Sequence, residues 1–310
     1  MSVVLPQRAA GDGRTQVNLD ELIALRARAA RAPLPSLETH ATRAGQHASR
    51  LYGRGMDYAE SRAYQPGDDV RRLDWRLTAR SGKLHTKLFE EAREARLLIL
   101  LDAHAGMRFG TRVRFKSVQA ARAAALAAWF AVRAGERVGL MAFGGHRSLL
   151  RPAGGTRGAL SVCGALAEWD SHACTDSEPL SAALRRARQV QQGASQVLLI
   201  SDGWSCDERA RGPLLDLARH AAVRVLVVAD ALELALPPAG RYPIEHEGTQ
   251  RQMTLQTERS RHDFATAMGS GPARLQALAR ALALSSERID TAADPRDAVS
   301  ALLRARGRTR

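Results

Sequence analysis

The sequence predicts an α/β protein built on a doubly wound, mostly parallel sheet, with a small β-rich subdomain and an N-terminal helix. Three observations carry this. From residue 95 onward, apolar runs of strand length alternate with segments of helical period. The first run, ARLLILLD, is apolar without alternation, which suits a strand buried on both faces. Before it, residues 50–94 break into short extended pieces at Gly53, Gly55, the Gln65–Asp68 turn and Ser81-Gly82.

Taken in order, residues 1–17 are polar with Gly11 and Gly13 and are expected to form a flexible arm. A helix should start at Asn18, with Glu21 completing a capping box, Leu19, Leu22, Ile23 and Leu25 on the apolar side, and Pro33 and Pro35 closing it. Together with the β-rich segment this makes a unit over 18–94. The sheet domain is expected over 95–306. After ARLLILLD comes an Ala-rich helix ending at Gly135. Then follow strands RVGLMAF and SLLRP, helices ALSVCGALAEW and LSAALRRARQVQQ, strand QVLLISD, helix PLLDLARHA and strand VRVLVVAD. A polar, extended insertion runs from about 232 to 262, before helix ARLQALARALAL, strand ERIDT and helix DAVSALLRA.

The 310-residue chain carries a formal charge of +14. Such a balance fits a nucleic-acid or anionic-membrane partner. The basicity is nearly all arginine, however, with lysine only at Lys83, Lys87 and Lys116, and it is scattered rather than clustered. A solvated surface is the simpler reading, and nucleic-acid binding is the alternative function. Cys163, Cys174 and Cys206 lack zinc-ligand spacing and suggest a reducing, cytoplasmic setting. The N-terminus lacks the pattern of a signal peptide, and the apolar stretches fall short of the ~20 residues a bilayer demands, so membrane attachment would need a partner.

Ligands of open parallel sheets collect at the carboxyl ends of the strands. Asp102 closes LLILLD and Asp202 closes VLLISD, so two carboxylates could converge there on a hard divalent cation. Alternatively each caps the helix or turn that follows. No GxxxxGK[ST] loop, GxSxG elbow or HExxH helix occurs, and no catalytic residues are assigned. The charged block Arg62, Asp68, Asp69, Arg71, Arg72, Asp74, Arg76 and Arg80 suggests an ion-pair lattice around Trp75. That lattice would either pin the β-rich piece to the sheet domain or dock a partner.

The stretch from Gly53 to Asp102 resembles the signature of the family known as domain of unknown function 58, whose members are von Willebrand factor A-like. The resemblance rests on Gly55, Arg62, Tyr64, Gln65, Pro66, Gly67, Asp68, Arg71, Asp74, Trp75, Ala79 and Arg80, and on a second block, Asp230, Glu233, Leu236, Pro237 and Gly240. It implies a Mg²⁺ site built from an Asp-x-Ser-x-Ser loop, a threonine and a second aspartate. Here the loop reads Asp102-Ala103-His104-Ala105-Gly106, so both serines are gone and the implied site is degenerate. Asp102, His104, Thr156 and Asp202 are its candidate remnants. His104 would favour Zn²⁺ over Mg²⁺, or is a plain capping histidine. Thr156 is either the threonine ligand or part of a glycine turn. The resemblance further implies a non-enzymatic adaptor of a MoxR-type AAA+ ATPase, alongside other von Willebrand A or membrane proteins of the same system.

Overall fold

The computed structural model describes residues 11–31, 56–66, 68–91, 96–172, 174, 177–191, 195–235, 237–246 and 249–304. Gly53, Gly55, Gly67, Leu236, Pro33 and Pro35 lie outside them. The chain divides into two units, one of residues 1–37 with 95–310 and one of residues 38–94.

In the larger unit, α1 spans Leu19–Arg31. The Asn18 side chain accepts the Glu21 amide at 3.0 Å, as an N-cap should. The Glu21 carboxylate does not turn back to complete the capping box. It pairs with Arg122 at 2.8 Å and Arg114 at 3.3 Å. These partners lie on or beside α3, against which α1 packs, so α1 belongs with the sheet unit rather than with the β-rich piece the sequence grouped it with. Residues 11–17, part of the expected arm, form a hydrogen-bonded turn. Asp12 Oδ1 accepts the amides of Arg14, Thr15 and Gln16, and the amide of buried Val17 donates to Asp170 at 2.9 Å.

In the smaller unit, β1 (Met56–Ala63) pairs antiparallel with β2 (His85–Glu91). Between them lies a helix the sequence reading missed, α2 (Trp75–Ser81). Its signals were present. Asp74 caps the Leu77 amide at 3.0 Å, and Gly82 closes the helix in the left-handed region, φ 69°.

The rest of the larger unit runs β3 (Arg96–Asp102), α3 (Lys116–Arg133), β4 (Arg137–Phe143), β5 (Ser148–Ala153), α4 (Gly155–Asp170), α5 (Leu180–Val190), β6 (Gln196–Ser201), α6 (Arg211–His220), β7 (Ala222–Ala229), α7 (Ala231–Leu234), β8 (Gly240–His246), β9 (Thr249–Leu255), α8 (Glu258–Met268), α9 (Ser270–Ala281), β10 (Ser285–Asp290) and α10 (Pro295–Arg304). The six-stranded sheet has the order β10-β7-β6-β3-β4-β5, parallel except for the β4–β5 pair. The expected extended insertion is a β8–β9 hairpin, and from Glu258 it is already helical.

Helices cover both faces of the sheet. One core layer joins α1, α3, α4 and α10 to one face, and the other joins α5, α6 and α9 to the opposite face. The unbroken apolarity of β3 follows from this, since all but its first residue are buried. Helix α3 is buried from Val118 to Ala131 because α1, α4 and α10 surround it, and its alanines let them approach closely. The chain leaves β3 toward β4 and β5 and later returns to β6 on the other side. The strand order therefore reverses between β3 and β6, where open α/β sheets place their ligand crevice.

Candidate functional site at the carboxyl edge of the sheet

Asp102 and Ser201 end the neighbouring strands β3 and β6, so the topology sets Asp102 beside Ser201-Asp202 at the reversal point. The Asp102 side chain is fully buried and fully engaged. Its Oδ1 accepts the His104 amide at 3.0 Å and lies 2.6 Å from His104 Nδ1. Its Oδ2 accepts the hydroxyls of Ser201 at 2.6 Å and Ser205 at 2.9 Å. Burial pushes the Asp102 carboxyl upward, but the hydrogen bond and charge of His104, with Ser201, outweigh it and leave the carboxyl below its ordinary value. His104 shifts upward: burial opposes this, and the hydrogen bond and charge of Asp102 prevail. Its ring lies over Gly144, where a Cβ would come within 2.2 Å of Nδ1 and where φ is +93°. Only glycine meets both demands.

Asp202 Oδ1 accepts the Trp204 amide at 3.0 Å and Oδ2 accepts Lys116 Nζ at 2.8 Å. The same ammonium donates to Glu233 Oε1 at 2.7 Å, and the Trp204 indole N–H donates to that oxygen at 3.1 Å. Lys116, Asp202 and Glu233 are buried. Burial and the Asp102 charge push Asp202 upward against the pull of Lys116. Burial also works against the Lys116 charge, but Asp202 and Glu233 raise it above its ordinary value, so it stays an ammonium. Glu233 Oε2 accepts the Asp230 amide at 2.8 Å, half of a capping box on α7. Asp230 in turn accepts the Thr111 hydroxyl at 2.6 Å and the Thr291 hydroxyl at 3.0 Å.

Of the four residues read as metal-site remnants, Asp102, His104 and Asp202 meet here. Thr156 does not. It is exposed in the first turn of α4, which follows β5. Because β5 runs antiparallel and its last residue, Ala153, pairs with Val138 near the start of β4, Thr156 lies at the opposite edge of the sheet. The hydroxyls missing after β3 are supplied by Ser201 and Ser205, which flank Asp202 in the run SDGWS. That run was the signal for them. Nothing local marked Lys116, whose partners lie 86 and 117 residues away.

Mg²⁺ requires near-octahedral oxygen ligands at about 2.0–2.1 Å. Both Asp102 oxygens already accept protein donors, and the Asp202 oxygens hold an amide and an ammonium. Among the described residues no three His, Cys, Asp or Glu side chains converge as a metal-holding set. The residues present do not fit the metal the resemblance implied. Each aspartate instead accepts the backbone amide two residues on, the capping geometry. Nor is this a catalytic triad. Both serines and the histidine bond to the same carboxylate, so the imidazole does not stand between a hydroxyl and an acid.

In the smaller unit, Arg62 pairs with Asp68 at 2.7 Å, and the Tyr64 amide donates to the Leu84 carbonyl. Asp69 caps the Arg71 amide and Asp74 caps α2 while accepting the Ser61 hydroxyl. These aspartates thus serve as turn and helix caps, and Asp68 also holds Arg62. Arg80 is exposed in the last turn of α2, and the Trp75 side chain stands 67% exposed at its start.

The family described as "Protein of unknown function DUF58" matches residues 60–273, which take in most of the smaller unit's signature, the Asp102 edge and the Asp230–Gly240 block. The chain belongs to the DUF58 family. Uncharacterized proteins of Mycobacterium tuberculosis and Mycobacterium bovis are each 29% identical to this DUF58 chain over 226 residues, covering 72% of it and 71% of their own length. Among solved structures it is similar to BatB of Bacteroides thetaiotaomicron, described as a conserved hypothetical protein, at 17% identity and TM-score 0.41 over 67% of this chain and 97% of that one. It is also similar to a von Willebrand factor type A protein from Catenulispora acidiphila, at 12% identity and TM-score 0.41 over 71% and 44%. No helix among the described residues is long and apolar enough to cross a membrane.

Proposed function

We propose that this DUF58 chain acts by binding protein rather than by catalysis, and that its carboxyl edge is a degenerate metal-ion-dependent adhesion site kept as a rigid docking face. The observation that carries the reading is Trp204. Its indole is fixed by Glu233 and packs against Gly271, yet it remains 43% exposed beside the Asp102–Lys116 cluster. A pre-positioned, half-exposed tryptophan loses little entropy when covered, which is how interface hot spots work. Trp75 offers a second exposed anchor in the smaller unit.

The partner we propose, from the family resemblance, is a MoxR-type AAA+ ATPase, with this chain as its adaptor. Affinity capture from the native cell extract, with ATP and Mg²⁺ or with EDTA, tests it. Recovery of an AAA+ ATPase with the wild type, reduced at least tenfold with Trp204→Ala, supports the reading. Capture of nuclease-sensitive nucleic acid without an ATPase would replace it with the basic-surface alternative.

A further inference from the structure

We propose that the Lys116 ammonium stands in for a bound divalent cation, and that Asp202 and Glu233 form a latent cation site which this ammonium keeps closed. The inference deepens the reading of a metal-free docking edge and does not depend on who the partner is.

The geometry is that of a cation with ligands. Nζ lies 2.8 Å from Asp202 Oδ2 and 2.7 Å from Glu233 Oε1, with side-chain exposures of 2%, 1% and 1% for the three residues. Asp202 directly follows β6, and Glu233 lies in α7, the short helix that follows the adjacent parallel strand β7. The ammonium reaches them from the first residue of α3, on the β3-to-β4 crossover. Nζ also lies 5.5 Å from the centre of the Phe109 ring, a cation–π distance. An ammonium has three N–H donors and no acceptor. Two go to the carboxylates, and the aromatic face lies alongside.

Two buried carboxylates without a counter-charge are strongly unfavourable, and one unit charge meets this need only partly. A free Mg²⁺ or Mn²⁺ would meet it more fully, and Mg²⁺ commonly binds through one or two carboxylates while keeping several waters. What prevents this here is occupancy. A tethered ammonium is present at very high effective concentration and needs no recruitment from solution. Removing the side chain beyond Cβ would leave the two carboxylates facing a buried space beside the Phe109 ring, without a counter-charge.

The test uses the full chain as wild type, Lys116→Ala and Lys116→Met. The melting temperature is measured in EDTA, in 10 mM MgCl2, in 10 mM MnCl2, in methylammonium chloride, and in choline chloride at matched ionic strength. The wild type should respond to none of these beyond the choline control. Lys116→Ala should melt lower and be raised about 2 °C by Mg²⁺ or Mn²⁺, the shift of ligand at roughly ten times Kd. Methylammonium, which replaces the lost head group, should also raise it. Lys116→Met fills the space without charge and should respond to neither. In Lys116→Ala/Glu233→Gln, with one carboxylate neutralised, the Mg²⁺ response should be lost. A wild type stabilised by Mg²⁺ as much as Lys116→Ala would overturn the proposal, as would a variant that no cation rescues or a response that survives Glu233→Gln. If Lys116→Ala does not accumulate as folded protein, refolding from urea with and without Mg²⁺ or methylammonium decides the matter. Recovery of near-ultraviolet dichroism only with a cation supports the proposal, and failure with every cation overturns it. All readouts are on the isolated chain, so a missing ATPase partner would refute the proposed function and leave this inference intact.

Discussion

The Ser201 hydroxyl donates to Asp102 at 2.6 Å, joining residues 99 positions apart across the strand-order reversal. Ser201 Oγ also accepts the Gly203 amide at 2.9 Å, so one side chain ties the β3 carboxylate to the loop that carries Asp202 and Trp204. Ser201→Ala removes a donor from a buried, charged acceptor. It should cost about 1.5–3 kcal/mol in urea unfolding. The same change in an Asp102→Asn background should cost clearly less, since the charge is gone. Equal costs in both backgrounds would show that the bond does not couple them.

Gly144→Ala should be among the more damaging single changes at this edge. The new methyl would fall on the His104 ring at a backbone position with φ +93°. Loss of the downfield His104 N–H proton in NMR, alongside a lowered melting temperature, is the expected pair of results. Unchanged His104 signals would mean that the loop adapts.

At the opposite edge of the sheet, burial pushes Glu136 up to about 7 against the opposing charge of Arg224. Gln196 bridges the two, donating to Glu136 at 3.1 Å and accepting from Arg224 at 2.8 Å. A carboxyl raised in the folded state contributes stability that is complete below its unfolded value, near 4.5, and is lost as pH rises through 7. The stability of Glu136→Gln relative to wild type should therefore increase from pH 5 to pH 8. A flat difference across that window would place the ionisation elsewhere.

Thiol chemistry should single out Cys174. Cys163 and Cys206 are buried, and burial pushes their thiols up to about 12 and about 11. Cys174 is exposed, with its Sγ 3.4 Å from the Ala103 carbonyl. One equivalent of maleimide should react rapidly with native protein and three after denaturation. Fast labelling of more than one thiol in the native state would contradict this packing.

Trp75→Ala should leave the melting temperature nearly unchanged, because the side chain is mostly exposed, while weakening any partner that uses the smaller unit. Loss of stability without loss of binding would assign Trp75 a structural role instead.

The fold was largely legible in the sequence because its signals are local. The unbroken apolarity of LLILLD and VLLIS reports strands covered on both faces, and alternation with helical segments reports a doubly wound sheet. Both aspartates could be placed at the carboxyl edge because each directly follows such a run. The missed α2 was also local, marked by Asp74 and Gly82, but was masked by the turn-rich composition around it. The misplacement of Thr156 was of another kind. Composition cannot tell whether a strand such as SLLRP runs parallel or antiparallel, and reversing it carries everything that follows to the opposite edge.

By itself, then, the sequence determined the family, the α/β class, the order of the main sheet strands and their connecting helices, and the loss of serines after Asp102. It did so because hydrophobic period, caps and turns act over a few residues. Tertiary structure alone decided what the aspartates do. Ser201 and Ser205 reach Asp102 only because β6 pairs with β3. Lys116 meets Asp202 and Glu233 only because the crossover through α3 returns its first turn over the ends of β6 and β7. Buried charges must find partners wherever the fold brings them, and those partners lie 86 to 117 residues away in sequence and within 3 Å in space.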